Sequence, residues 1–235
     1  MQGGQTVNLD RFSVTMSQLP TINGSQLTPN QFLEYVRVHI NDFVGSGQPT
    51  FIPSPYLSGE GTRWQNHELG TIISIDIPLD NGSVILSDYS NTYFDTHWSF
   101  STLYDPYNGS HPVSGTRTFG ISYSMGYTDP FFGWSYPGTY TFYIQGADRI
   151  LSRPGEMVGA LLNLSTNPAN AFQCGKADAA WNSFISQVAN FANSSAYGGH
   201  AGNATINTPV TTRPNWTDVY NALQNHRPLN SVPCN

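Results

Sequence analysis

Residues 70–89 read Gly-Thr-Ile-Ile-Ser-Ile-Asp-Ile-Pro-Leu-Asp-Asn-Gly-Ser-Val-Ile-Leu-Ser-Asp-Tyr, and the fold class follows from them. Ile73, Ile75 and Ile77 alternate with Ser74 and Asp76, a period of two that gathers the isoleucines on one face of a strand. Asp80-Asn81-Gly82 supplies residues that tolerate positive φ in a hairpin turn. Ser83–Tyr89 then reads as a second strand running back beside the first.

The same period continues downstream. His97–Tyr104 sets Trp98, Phe100 and Thr102 against His97, Ser99, Ser101 and Leu103. Arg117–Ser124 places Phe119, Ile121 and Tyr123 on one side, and Gly138–Gln145 does the same with Tyr140, Phe142 and Ile144. Strands that follow one another without intervening helices form an antiparallel meander. Upstream, Gln5–Met16 alternates loosely as a first strand. Between them, residues 28–44 form a helix. Thr28 and Gln31 make a capping box, Pro29 occupies the first turn, and Phe32, Leu33, Val36, Ile40, Phe43 and Val44 share a stripe that stops at Gly45. Gly45–Gly61 reads as a loop.

The last third returns to helical spacing. Asp178–Asn193 carries Trp181, Phe184, Ile185, Val188 and Phe191, and Asn215–Arg227 starts at an Asn cap and stops before Pro228. Between these helices Ala204–Thr208 is a short strand. The expectation is therefore an α+β fold. It is an antiparallel meander sheet of about five or six strands, with one N-terminal and two C-terminal helices on its apolar face. Residues 1–165 supply the first helix and the sheet, and 166–235 form a C-terminal helical extension packed on the same core, all within one domain.

Charged residues make up only 10% of the chain, with a single lysine, Lys176, and a net charge of -6. A broad nucleic-acid footprint needs a basic face, and no such face is available. No apolar run is long enough to span a membrane. The lysine-poor, hydroxyl-rich composition reads as extracellular or exported, although Met1–Asp10 carries no signal-peptide pattern. Seven Asn-x-Ser/Thr sequons add weakly to that reading. In an oxidising compartment Cys174 and Cys234 are expected to pair, closing a loop of ~60 residues for about 4 kcal/mol.

The strand faces opposite the apolar stripes carry Ser99, Ser101, Thr118, Thr141, Tyr143 and Gln145, almost free of Lys and Glu. Such a plate suits a neutral polar ligand such as a glycan, or is simply strand surface made of good β-formers. Tyr123–Tyr140 interleaves Tyr127, Phe131, Phe132, Trp134 and Tyr136 with Gly and Pro. Exposed, this connection stacks on sugars or meets a partner; folded back, it caps the sheet. Membrane insertion is disfavoured because no basic residue flanks it. Ser99, Ser101, Tyr143, Trp134 and Tyr136 are thus the ligand-binding candidates.

Groups able to move protons or stabilise an anion gather at strand ends: His97, His111, Arg117, Asp148 and Arg149. The histidines would act as acid and base, an arginine as anion holder, and Asp148 as an orienting group. Asp95, His97 and His111 match no metal-ligand spacing, so no metal and no cofactor are expected. The function this suggests is an exported effector or toxin-like enzyme, hydrolase-type, using His/Arg/Asp acid–base chemistry on an extracellular or target-cell polymer. Two alternatives stand beside it. One is a non-catalytic carbohydrate- or surface-binding module, and the other a structural assembly protein whose charge-poor surfaces are subunit contacts. The expected partner is a polar polymer or glycan rather than a nucleic acid, and the sequence sets no oligomeric state.

Overall fold

The computed structural model describes residues 3–45, 49–77, 80–92, 95–111, 113–151, 168–194, 202–228 and 232. In chain order the elements are β1 (Gly3–Met16), β2 (Thr21–Ile22), β3 (Ser25–Gln26), α1 (Pro29–Val38), α2 (Ile40–Phe43), β4 (Thr50–Pro53) and α3 (Glu60–Gln65). The middle of the chain supplies β5 (Ile72–Ile77), β6 (Asp80–Asn91), β7 (Asp95–Asp105), β8 (Gly109–Ser110) and β9 (Val113–Ser124). After it come β10 (Tyr127–Thr128), β11 (Ser135–Tyr136), β12 (Thr139–Leu151), α4 (Pro168–Asn193), β13 (Thr205–Ile206), β14 (Val210–Thr212) and α5 (Trp216–Gln224).

The sheet is antiparallel, as the alternation predicts, but larger. Among the described residues it has ten strands in the order β13, β1, β12, β9, β7, β6, β5, β4, with β14 also on β1 and β8 on β7. β1 closes against β12, so the two ends of the meander region become neighbours. The extra edge strand β4 lies in the stretch expected to be loop. Its short run Thr50–Pro53 alternates buried Phe51 with exposed Ile52, a pattern too brief to stand out among prolines. α3 begins at the end of that stretch.

The turn of the decisive hairpin sits two residues earlier than expected. Asp80, Asn81 and Gly82 pair with Ile77, Asp76 and Ile75 as part of β6, and the connection is residues 78–79, outside the described residues. Gly82 serves a packing purpose instead: a side chain there would run into the ring of His111.

One face of the sheet is apolar and covered. Phe12, Val14, Ile73, Val84, Leu86, Trp98, Phe100, Phe119, Ile121, Phe142 and Ile144 are all buried in one cluster with Phe32, Leu33 and Val36 of α1 and Phe184, Ile185 and Val188 of α4. The capping box forms as read, with Thr28 accepting from Gln31 N and Gln31 accepting from Thr28 N. The helix over 28–44 is nevertheless two helices. At His39 the backbone leaves the helix (φ -103, ψ 27), and the imidazole stacks 4.2 Å from Tyr35. The break turns Phe43 into contact with Phe184 and Phe191. α5 departs from expectation more. It leaves the apolar face and packs Val219 and Ala222 on Val7 and Leu9, which project from the other side of β1 than Phe12.

Candidate functional site

At one end the covered face changes from apolar to ionic without leaving the strand pattern. Asp10 is in phase with Phe12 and Val14, Arg117 with Phe119 and Ile121, and Asp148 with Phe142 and Ile144, so all three point to the same side. Gly146 lies in register between Asp10 and Arg117, and the guanidinium crosses it to bond both oxygens of Asp10. A methyl group at Gly146 would strike that guanidinium, and one at Gly115 would strike Asp148. Arg117 also bonds Asp148, and the Trp181 ring of α4 lies 4.8 Å from the guanidinium carbon. Asn8 donates to Asp10 at 2.6 Å.

Burial works against the charge of Arg117, but Asp148 and Asp10 outweigh it and hold the guanidinium above its ordinary value. For Asp148 the balance goes the other way. Burial, with Asp10 nearby, pushes its carboxyl up despite the pull of Arg117. The cluster holds two carboxylates to one cation, with Asp10 and Arg117 buried and Asp148 mostly so. Such a group resists removal of its cation more than it stabilises the fold.

The opposite face is the hydroxyl plate, and its members bond one another. Ser99 and Thr118 hydroxyls meet at 2.7 Å, Ser101 donates to Ser87 at 2.8 Å, and Asn207 donates to Ser13 and Thr15 at 2.9 and 3.0 Å. Tyr143 lies flat across Gly120 of the neighbouring strand, where a side chain would collide with the ring. Arg11 stacks on that ring at 4.1 Å and donates to Gln145 at 2.6 Å. Beside them runs a shallow groove of about 340 Å3, walled by Thr116 and Thr118 on one side and Val210 and Thr212 on the other. Arg11, Gln145 and Gly146 form its floor.

The structure divides the residues expected to act together. Arg117 and Asp148 share the covered face with the core. His97 and Arg149 point to the plate side, and they lie toward opposite ends of the sheet, His97 opposite Gly120 and Arg149 opposite Ser114. His97 bonds Asp88 at 3.1 Å, and Arg149 stacks on Trp216 of α5 at 4.0 Å. His111 is not an open loop group. It is buried against Gly82, its Nδ1 accepts from Val113 N at 3.2 Å, and burial pushes its pKa down to about 4, so the ring is neutral at pH 7. Asp10 was missed from sequence. Its signal was an acid in phase with an apolar face, which requires a buried cation in the same phase, and Arg117 is one.

The ligand candidates also fall into two groups. Ser99, Ser101 and Tyr143 lie on the plate, whereas Trp134 and Tyr136 belong to the hairpin beyond its far end. That hairpin does not fold back over the sheet: Phe131 is 91% exposed, Phe132 73% and Trp134 64%. The expected Cys174–Cys234 bond lies outside the described residues: Cys174 is within α4, but Cys234 is not among them.

No family model and no curated protein sequence matches the chain. Among solved structures it is similar to a point mutant of norcoclaurine synthase from Thalictrum flavum in complex with a transition-state analogue. Identity is 12% over 79% of this chain and 99% of that one, with a TM-score of 0.35. Truncated norcoclaurine synthase from the same source gives 9% identity over 80% and 98%, also at 0.35. The class the architecture defines is an α+β fold in which an antiparallel sheet is flanked by an N-terminal and two C-terminal helices. The expected toxin-like hydrolase of polymers is overturned by geometry: its acid–base groups lie on two faces of the sheet, and His111 is buried and neutral. Among the described residues no helix, α4 included, is long and apolar enough to cross a membrane.

Proposed function

We propose that the protein is a non-catalytic binding module for a neutral carbohydrate, held on the hydroxyl plate. The observation that carries this reading is the groove beside Gly146. Threonine hydroxyls and the Gln145 amide line it together with apolar Leu9, Ala147 and Val210, which suit the apolar face of a sugar ring, and its one outward charge, Arg11, is already engaged by Gln145 and Tyr143. Hydroxyl and amide groups can donate to and accept from sugar hydroxyls in turn. A charge-poor lining gives an anionic or cationic ligand no counter-charge to compensate for lost hydration.

The test is titration of the intact protein with neutral oligosaccharides, followed by calorimetry or by amide shifts in β9 and β12. Gln145→Ala removes a floor group and releases Arg11, and it is expected to weaken binding about tenfold, the scale of one or two net hydrogen bonds. Equal affinity in wild type and Gln145→Ala, or no neutral oligosaccharide bound by either, would refute the reading.

A further inference from the structure

The hairpin joining β9 to β12 is separate from the plate and has its own chemistry. Tyr127 pairs with Tyr136 and Thr128 with Ser135, and the turn between them carries Phe131 and Phe132 outward. The turn is rigid for a stated reason. Asp129 Oδ1 accepts from both Phe131 N and Phe132 N at 2.8 Å. Asp129 N donates to Trp134 O at 2.7 Å, and Gly133 N donates to Asp129 O at 2.9 Å, with Gly133 at φ 69. Pro130 has no N–H. Every backbone donor from Asp129 to Gly133 is therefore satisfied inside the turn or absent.

A segment that enters an apolar phase needs its backbone donors satisfied internally. No backbone donor of this tip is left turned outward for a polar ligand. Side chains are also layered as a lipid interface is layered. Phenylalanines occupy the extremity, while Trp134, Tyr127 and Tyr136, each with a polar atom on an apolar ring, stand behind them. From Thr118 to Ala147 the only charged residue is Asp129, and the whole chain carries a net charge of -6. No basic group is present to seek anionic headgroups. We infer that this hairpin docks the protein on the surface of a zwitterionic lipid layer, inserting Phe131 and Phe132 below the headgroups. The absence of flanking basic residues, which argues against an anionic membrane, selects the neutral one.

Flotation of the intact protein with phosphatidylcholine vesicles tests this. Wild type is expected to float with the vesicles, and Phe131→Ser/Phe132→Ser to lose binding on the order of 100-fold, roughly tenfold for each ring withdrawn from the apolar phase. Replacing a third of the lipid with phosphatidylserine should not strengthen binding. Gln145→Ala should float like wild type, which separates this surface from the sugar groove. Failure of wild type to float, or equal flotation of the double variant, overturns the inference. So does a wild-type dimer that the double variant abolishes while vesicle binding stays weak, which would make a second copy the occupant. Displacement from vesicles by a soluble neutral oligosaccharide would also overturn it.

Discussion

Acidifying the protein should expose the cost of keeping His111 neutral. Its pKa in the folded chain falls from the ordinary 6.5 to about 4, with burial as the main cause and the Val113 carbonyl opposing. A folded value below the unfolded one means that the unfolded chain takes up the proton first as pH drops. Stability is intact above about 6.5 and drains away as pH falls toward 4. For a shift of this size the loss is about 0.2 kcal/mol at pH 7 and about 2 kcal/mol at pH 5. Carboxylates titrate in the same window, so the measurement must be a difference. Urea unfolding of wild type and His111→Gln at pH 7, 6 and 5 isolates the imidazole, since glutamine cannot be protonated. The gap between the two should change by roughly 2 kcal/mol in favour of the variant on going from pH 7 to pH 5. Parallel stability curves would show that the ring is not held neutral by its burial, and the packing of His111 on Gly82 would have to be redrawn.

Two further outcomes test the covered face. Phe142→Ala empties a fully buried position between Phe32 and Phe184 and should cost about 3–5 kcal/mol in denaturant unfolding; a loss under about 1 kcal/mol contradicts the packing of α1 and α4 on the sheet. Arg117→Leu leaves Asp10 and Asp148 buried without their cation and should cost roughly 3–5 kcal/mol, part of it regained when both acids become Asn. A single variant as stable as wild type, by the same unfolding measurement, rules out the ion cluster.

The strands were readable because their faces differ: Ile73 and Ile75, Trp98 and Phe100, Phe119 and Ile121, and Phe142 and Ile144 all went inward at the expected parity. The short strand expected at Ala204–Thr208 is β13, but the full size of the sheet was not readable, since β4 and β14 are four and three residues long and owe their existence to a neighbour's free edge. Helix spacing continues through His39, so nothing local announces the break that lets Phe43 face α4. The side chosen by α5 depends on Val7 and Leu9 being apolar in the polar phase of β1, a conflict visible in sequence only once β1 is known to be a strand. For the functional groups, proximity in sequence misled. His97 and Arg117 are on neighbouring strands yet opposite faces, because Arg117 pairs with Phe100, which sits three residues, and so one odd step, from His97. The aromatic connection was legible as unusual, but its exposure depends on how Asp129 folds the turn.

Three glycines, at 115, 120 and 146, leave gaps into which a neighbouring strand's side chain lies sideways: Asp148, Tyr143 and Arg117 in turn. Alternation alone lets two strands slide by two residues without changing which face is apolar. Here such a slide of β12 against β9 would press the Tyr143 ring onto Ser122 or Thr118 and carry Gly146 out from under Arg117. The missing side chains therefore act as notches, each accepting one tooth from the next strand. Pairing of β9 with β12 is thus selected by shape on both faces at once, independently of the helices.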